Sequence, residues 1–187
     1  EFMLAPTGFD SFRTKVQAAA EVITALKKIL EAKNYATSVG DEGGFAPKLC
    51  TNEEAFDLLL GAIEHADYTT NEIQIGIDVA ASGFYTLGAY SLKHCDKGPQ
   101  TTADMIAWYE KLINTYPIIF IEDGLAEDDW DGFKKMFGLF GSKIKIVGDD
   151  LTVTNTKRIQ QAIDVGAINS VLIKLNQIGT LTETVQA

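Results

Sequence analysis

The sequence predicts an α/β fold in which helices cover a parallel sheet. Short apolar segments of the kind that form strands alternate with longer segments whose apolar residues recur every three or four positions, as on one face of a helix. The strand segments are almost continuously apolar, which is typical of a sheet buried on both faces. Two architectures satisfy this order, an open doubly wound sheet and a closed (β/α) barrel. No Gly-x-Gly-x-x-Gly motif follows a strand, which disfavours a dinucleotide-binding form of the first.

The first part of the chain predicts two helices separated by a glycine-rich loop. The first helix spans residues 9–33, and Asp10 is its candidate N-cap. One apolar stripe runs along this helix: Phe12, Val16, Ala19, Val22, Ile23, Leu26 and Leu30. The second helix follows Thr51, which forms a capping-box pattern with Glu54 three residues later.

The second part of the chain alternates strands with helices. Four short apolar segments rich in β-branched residues predict strands: residues 73–80, 118–121, 144–147 and 170–173. Three helical patterns lie between them: one capped by Thr101 or Thr102 and stopped by Pro117, one near residues 129–140, and one near residues 155–164 that stops at Gly166. A last helix is predicted to begin near Ile178.

Four successive strands end in an ionisable residue: Asp78, Glu122, Asp149 and Lys174. In a parallel barrel the carboxyl ends of all strands emerge on one face, and that face holds the active site. These four side chains are therefore expected to converge on one pocket. The alternative is that each one only marks the start of a loop and forms ion pairs at the surface.

Three carboxylates brought together repel one another unless a cation lies between them. Oxygen ligands without histidine or cysteine favour a hard ion such as Mg²⁺ over zinc. A lysine opposite a divalent ion loses its proton more easily, which makes Lys174 a candidate general base. On spacing alone, a salt bridge from Lys174 to one of the acids is an equally good prediction.

Glu42 lies in the glycine-rich loop of residues 40–44. Such a loop can move and can bring its backbone close to a ligand, so Glu42 is a candidate general acid that closes over a substrate. The alternative is a turn that connects two helices and carries an incidental acid.

The composition excludes some classes of partner. The 187 residues carry a formal charge of −10, which argues against nucleic acid or anionic lipid as the main partner because phosphate binding needs surplus Lys and Arg. The two cysteines have no metal-binding or disulfide spacing, which fits a reducing, cytoplasmic location. No apolar run of membrane length occurs. Both ends are typical of cuts through a longer protein.

Five segments resemble enolase segments in the same order along the chain: EFMLAPTG at residues 1–8, VGDEGGFAP at 39–47, IED at 121–123, GDDLTVTN at 148–155 and LIKLNQIGT at 172–180. The resemblance implies a TIM-like barrel of the ββαα(βα)₆ type, incomplete in this chain. Residues 1–187 would be part of the C-terminal catalytic barrel domain, with the N-terminal domain and the last βα units outside it. The two consecutive helices before the regular βα units agree with that order.

The resemblance also implies a function, the magnesium-dependent, reversible dehydration of 2-phosphoglycerate to phosphoenolpyruvate by a hydro-lyase. In this family Glu42 would be the general acid and Lys174 the base that removes the C2 proton. Asp78, Glu122 and Asp149 would hold Mg²⁺. Glu1 would contact the substrate and assist the acid, and Glu122 and Asp149 would also lie against the substrate.

Further expectations follow from the same resemblance. The full-length protein is expected to be a homodimer, and the 187-residue piece alone is expected to be inactive and poorly stable because an incomplete barrel leaves strand edges unpaired. Gly83 replaces a glutamate that is usual in the family, which puts support of Asp78 in doubt. His65 and His94 match no family histidine and are predicted at the surface. The alternatives are a non-catalytic paralogue with a binding role and another enolase-superfamily lyase.

Overall fold

The computed structural model describes residues 1–92 and 98–187, so the prediction for His94 lies outside the described residues. The chain divides into two compact units. The first comprises Phe2–Ile75, and the second comprises Gly76–Ala187 together with Glu1. In the described part of the chain, no helix is long and apolar enough to cross a membrane.

The first unit contains a strand and two helices that pack on each other: β1 (Phe2–Ala5), α1 (Phe12–Ala32) and α2 (Asn52–His65). The two predicted helices are confirmed, but the predicted N-cap of the first is wrong. Ser11 caps α1, because its hydroxyl accepts the backbone N–H of Thr14 at 3.1 Å. The last residue of α2, His65, is exposed as predicted.

The predicted apolar stripe of α1 is only partly buried. Val22, Leu26 and Leu30 are buried, whereas three members of the stripe are exposed: Phe12, Val16 and Ile23. The buried face also includes Ala18 and Ala25, which lie one helical turn from Val22. One edge of the predicted stripe therefore faces solvent.

The capping box predicted for α2 forms only in part. Thr51 accepts the backbone N–H of Glu54 at 3.2 Å, as predicted. The Glu54 carboxylate, however, accepts the backbone N–H of Cys50 at 2.9 Å and the hydroxyl of Tyr35. The return bond of the box is therefore displaced by one residue towards the N-terminus.

The division between the units falls within strand β2 (Gln74–Asp78). A 3₁₀ turn at Ala81–Phe84 and a small hairpin follow it. The remaining elements then occur in this order: β3 (Tyr85–Thr86), β4 (Ala89–Tyr90), α3 (Thr102–Thr115), β5 (Ile118–Glu122), α4 (Trp130–Phe140), β6 (Lys145–Gly148), α5 (Thr156–Val165), β7 (Ser170–Val171), α6 (Leu175–Ile178) and α7 (Leu181–Gln186).

Strands β2, β5, β6 and β7 are neighbours in that order. Pairing is parallel between β5 and β6, where Phe120 lies opposite Lys145, and between β6 and β7, where Val147 lies opposite Ser170. The backbone N–H of Val79 donates to the carbonyl of Glu122 at 3.0 Å, which joins the ends of β2 and β5. The predicted α/β class with a parallel sheet is therefore confirmed.

Most element boundaries of the second unit agree with the sequence. Thr101, rather than Thr102, caps α3 through a complete capping box with Asp104. Gly166 ends α5 in the left-handed conformation, with φ +66°. The last predicted helix is instead two short helices, α6 and α7, separated by Gly179 with φ +98°. The predicted strand at residues 170–173 is shorter than expected, because only Ser170 and Val171 pair with β6.

Candidate active site

The ends of neighbouring parallel strands in the second unit carry the predicted ionisable residues. Asp78 is the last residue of β2 and Glu122 the last of β5, while Asp149 directly follows β6. Lys174 lies three positions beyond β7. Since parallel strands end at the same edge of a sheet, this topology brings the four residues to one side.

Glu122 has a strongly raised pKa among the predicted carboxylates. Its side chain is buried, with 7% of the residue exposed. Burial, together with the negative charges of Asp78 and Asp149, raises the pKa of Glu122 to about 7. The parallel pairing of β5 with β6 and the backbone bond from Val79 to Glu122 place these three strand ends side by side.

Asp149 and Lys174 form an ion pair. The Nζ of Lys174 donates to Oδ2 of Asp149, a residue that is 4% exposed. This hydrogen bond is the main cause that raises the pKa of Lys174, and the charges of Asp149, Glu122 and Asp78 act in the same direction, against the effect of burial. The salt bridge that the sequence left open is present in the structure, and the role of Lys174 as a general base stays a prediction.

Asp78 is half-buried and closes a tight turn. Its Oδ1 accepts the backbone N–H of Ala80 at 2.9 Å, and Ala80 has φ +45°. Burial raises the pKa of Asp78, the bond from Ala80 opposes that rise, and the charge of Asp149 adds to it. The backbone of Glu1 lies beside Asp78, whose N–H donates to the Glu1 carbonyl at 3.2 Å. The residue Glu1 itself is exposed.

Asp123 supports the site, a role that the sequence did not predict. Its carboxylate accepts the backbone N–H groups of Asp149 at 3.1 Å and Asp150 at 2.7 Å. Asp123 is 3% exposed and has φ +42°. Burial raises its pKa to about 6 although these hydrogen bonds oppose the rise. The only signal in the sequence was a second acid directly after Glu122.

Among the described residues, one group of three acids has carboxylate oxygens that all lie within 4.8 Å of one another: Asp123, Asp149 and Asp150. This group shares only Asp149 with the predicted metal ligands Asp78, Glu122 and Asp149. Both oxygens of Asp123 accept backbone N–H groups, so this residue is better suited to orienting the loop after β6 than to binding an ion. The predicted ligand set stays a prediction.

The residues at the strand ends fit a hard divalent cation. The donors at Asp78, Glu122 and Asp149 are all carboxylate oxygens, which is the ligand type that Mg²⁺ prefers. Burial is the main cause of the raised pKa of Glu122, and the negative charges of Asp78 and Asp149, which Lys174 offsets only in part, add to it. A cation among these oxygens would relieve that repulsion.

Glu42 belongs to the other unit, in the turn between α1 and α2. Val39 and Phe45 form an antiparallel bridge, and the N–H of Gly40 donates to the carbonyl of Gly44 at 2.9 Å. Gly43 has φ +81°, a conformation that favours glycine. Glu42 is exposed at the tip of this small loop. Its role as a general acid stays a prediction.

Gly83 lies in the 3₁₀ turn that follows Asp78. A Cβ atom added at Gly83 would have no heavy atom within 4 Å. A glutamate could therefore stand at this position without a clash. Nothing in the backbone of the turn requires glycine.

A parallel α/β unit with carboxylates and a lysine at its strand ends is typical of α/β enzymes whose active sites lie at the carboxyl ends of the strands. The family model of the enolase C-terminal TIM barrel domain matches residues 1–187, and the chain belongs to this family. Of the two architectures that the sequence left open, the barrel is therefore confirmed.

The chain is similar to a curated relative, Enolase 1 of Methylococcus capsulatus. The two are 54% identical over 188 residues, an alignment that covers 100% of this chain and 45% of the relative. The chain therefore spans less than half of the length of the curated relative it matches.

Proposed function

We propose that the protein containing this chain catalyses the reversible dehydration of 2-phosphoglycerate to phosphoenolpyruvate, with Mg²⁺ as its cofactor. The observation that carries the proposal is the ion pair of Lys174 with Asp149 beside two further acids, Glu122 and Asp78, whose charges repel each other. Membership of the enolase barrel family and the 54% sequence identity to Enolase 1 of Methylococcus capsulatus support it.

Asp78, Glu122 and Asp149 would hold the magnesium ion. When bound, the cation would stabilise negative charge that develops on the substrate carboxylate and would offset the charge that raises the pKa of Lys174. Glu1, Glu122, Asp149 and Lys174 would lie against the substrate.

Lys174 and Glu42 would transfer the two protons of the reaction. Lys174, in its neutral form, accepts the C2 proton at Nζ, and the bonding electrons move to form the C2–C3 double bond. Glu42 donates a proton to the C3 hydroxyl, which leaves as water. Glu1 assists this acid. In the reverse direction the same groups exchange roles.

Three properties of the whole protein complete the proposal. It acts on a small phosphorylated acid in the cytoplasm, forms a homodimer, and needs parts outside residues 1–187 for turnover. The 187-residue piece alone is then inactive and poorly stable, which can be tested by its melting profile and its rate.

The decisive experiment is an assay of the full-length protein with 2-phosphoglycerate, with and without Mg²⁺, in which phosphoenolpyruvate is detected by its ultraviolet absorbance. We expect turnover that is abolished by a chelator and restored by Mg²⁺. A folded protein without turnover would be a non-catalytic paralogue. Turnover only on another carboxylate substrate would identify a different lyase of the superfamily.

A further inference from the structure

A closed ring of hydrogen bonds links Lys174 to Asp149 through two residues that the proposed mechanism does not use. Lys174 donates its backbone N–H to the hydroxyl of Thr154 at 2.8 Å. That hydroxyl donates to Oε1 of Gln177 at 3.0 Å, and Nε2 of Gln177 donates to Oδ1 of Asp149 at 2.6 Å. The ion pair between Asp149 and Lys174 closes the ring.

The direction of each bond in the ring is fixed by chemistry. An ionised carboxylate can only accept, so the amide nitrogen of Gln177 must face Asp149. The amide oxygen then faces Thr154, whose hydroxyl must donate to it. The remaining lone pairs of that hydroxyl are directed to the N–H of Lys174. If the amide oxygen and nitrogen of Gln177 exchanged places, the bonds to Thr154 and to Asp149 would both be lost, so the ring has one arrangement.

The ring joins side chains from the segments that follow the paired strands β6 and β7. Asp149 and Thr154 belong to the loop after β6, whereas Lys174 is the N-cap residue of α6 and Gln177 lies within that helix. The backbone N–H of Gln177 also donates to the carbonyl of Lys174 at 3.2 Å. The ammonium group and the carboxylate are therefore held by one common framework.

Thr154 occupies a backbone conformation that its side chain disfavours. It is 0% exposed and has φ +54°, and Val153 before it has φ +44°. β-Branched residues rarely adopt this left-handed region, and such conformations are concentrated at functional sites. Asparagine or glycine would fit this backbone with less strain, but neither has a hydroxyl that can accept from Lys174 and donate to Gln177.

We infer that Thr154 and Gln177 are positioning residues that set the Lys174 ammonium group and the Asp149 carboxylate relative to each other. This inference rests on the proposed function, in which Lys174 removes a proton and Asp149 binds the cation. Gln177 holds Asp149 through its side chain, and Thr154 holds Lys174 through its backbone. Loss of either bond releases one partner of the pair.

The test uses two substitutions in the full-length protein, each with a matched control. Gln177→Met keeps the length of the side chain but removes both of its hydrogen bonds. Gln160→Met is its control, because exposed Gln160 donates to Asp164 at 2.8 Å in a similar amide–carboxylate pair. Thr154→Val removes the hydroxyl, and Thr154→Ser restores it.

A second control addresses the loss of a buried hydroxyl. Thr152 is 0% exposed and lies in the same loop, and its hydroxyl donates to the carbonyl of Gly148 at 2.9 Å and has no part in the ring. Thr152→Val therefore reports what the loss of a hydroxyl costs in folding alone. Circular dichroism establishes that each variant folds.

The readouts separate positioning from stability. We measure kcat and KM, the exchange of the C2 hydrogen of 2-phosphoglycerate with solvent deuterium, and Mg²⁺ binding by calorimetry without substrate. Gln177→Met and Thr154→Val are expected to lower kcat and C2 exchange by about 10–100-fold, with a smaller change in KM. Gln177→Met is also expected to weaken Mg²⁺ binding, and Thr154→Ser to recover most of the rate.

The outcomes are distinguishable. Wild-type turnover together with unchanged kcat and C2 exchange in Gln177→Met and Thr154→Val would overturn the positioning role. Equal losses in Thr152→Val and Thr154→Val, without recovery in Thr154→Ser, would overturn it as well. If Thr154→Val does not fold, the pair Gln177→Met and Gln160→Met decides. Absence of turnover in the wild-type protein would instead overturn the proposed function.

Discussion

The acids of the two units differ in how their surroundings act on them. In Phe2–Ile75, the pKa values of three glutamates are lowered by hydrogen bonds. Tyr68 donates to Glu21, Tyr35 donates to Glu54, and the backbone and hydroxyl of Thr69 donate to Glu72. Each of these charges is favoured by folding, because its partner stabilises the ionised form.

In the second unit, the pKa values of three acids at the strand ends are shifted in the opposite direction. Burial raises the pKa values of Asp78, Glu122 and Asp123, and neighbouring carboxylates raise them further. Folding therefore disfavours the ionised form of these residues. In the first unit, ionisation of these three glutamates contributes to stability, whereas at the strand ends ionisation costs stability, which is the pattern expected if Asp78 and Glu122 bind the proposed cation.

The largest effect is expected from Lys174→Met. General base catalysis typically contributes about 10²–10⁴-fold, so kcat for 2-phosphoglycerate should fall by at least that factor. The control is Lys27→Met, which removes an exposed ion pair with Glu31 at 3.9 Å in the first unit. We expect the control to keep the wild-type kcat. Similar kcat values for Lys174→Met and Lys27→Met would contradict a catalytic role of Lys174 in the second unit.

The next effect is a loss of stability in Asp123→Ala. The substitution leaves the N–H groups of Asp149 and Asp150 without their acceptor, and each unsatisfied buried group costs about 1–3 kcal/mol. We expect the free energy of unfolding in urea to decrease by about 3 kcal/mol. Asp164→Ala, at an exposed position on α5, should change it by less than about 0.5 kcal/mol. Equal changes would contradict the supporting role of Asp123.

A smaller effect with the opposite sign is expected from Glu122→Gln in protein treated with a chelator. The folded protein retains the Glu122 proton up to a pKa of about 7, whereas the unfolded chain loses it near 4.5. The bound proton therefore stabilises the folded protein at low pH, and this stabilisation is lost as the pH rises from 4.5 to about 7. Glu122→Gln should flatten that dependence in urea unfolding and add on the order of 1 kcal/mol at neutral pH, because solvent screens part of the repulsion.

The same variant should bind Mg²⁺ more weakly in calorimetry, since it removes one predicted ligand. A gain of stability with a loss of cation binding is the combination expected of an acid retained for function. A Glu122→Gln variant that loses stability at neutral pH would contradict the contrast between the units.

The smallest effect is expected from Glu54→Gln in the first unit. The hydrogen bond from Tyr35 lowers the pKa of Glu54 below its usual 4.5, so its contribution to stability is present above that value and is lost as the pH falls further. The substitution should reduce the urea midpoint slightly at neutral pH and not at low pH. A midpoint that rises at neutral pH would count against this account.

The periodic patterns in the sequence predicted the order and class of the elements well. Every long helix from α1 to α5 was predicted, because each has a strong apolar stripe or an evident stop signal. Chain ends and short elements were less predictable: β1 and the hairpin of β3 and β4 were missed, and Asp10 was assigned the cap that Ser11 forms. A short strand depends on its neighbours more than on its own residues.

The candidate site was predicted as a set of residues but not as a set of contacts. The strand-end positions of Asp78, Glu122 and Asp149 follow from the sequence, since parallel strands have a common exit edge. The support from Asp123, Thr154 and Gln177 does not, because each of them acts on a residue at least 20 positions away in the chain.

The sequence alone determined the α/β class, the acids and the lysine at the strand ends, and the resemblance to enolases, because each of these depends on local pattern and residue identity. Only the tertiary structure decided which partners these side chains have. Burial raised the pKa of Glu122. The approach of the loop after β6 to α6 joined Lys174 to Asp149 in one hydrogen-bonded ring. Burial and contacts between distant segments arise only when the chain is folded, and they set the charge state of each group.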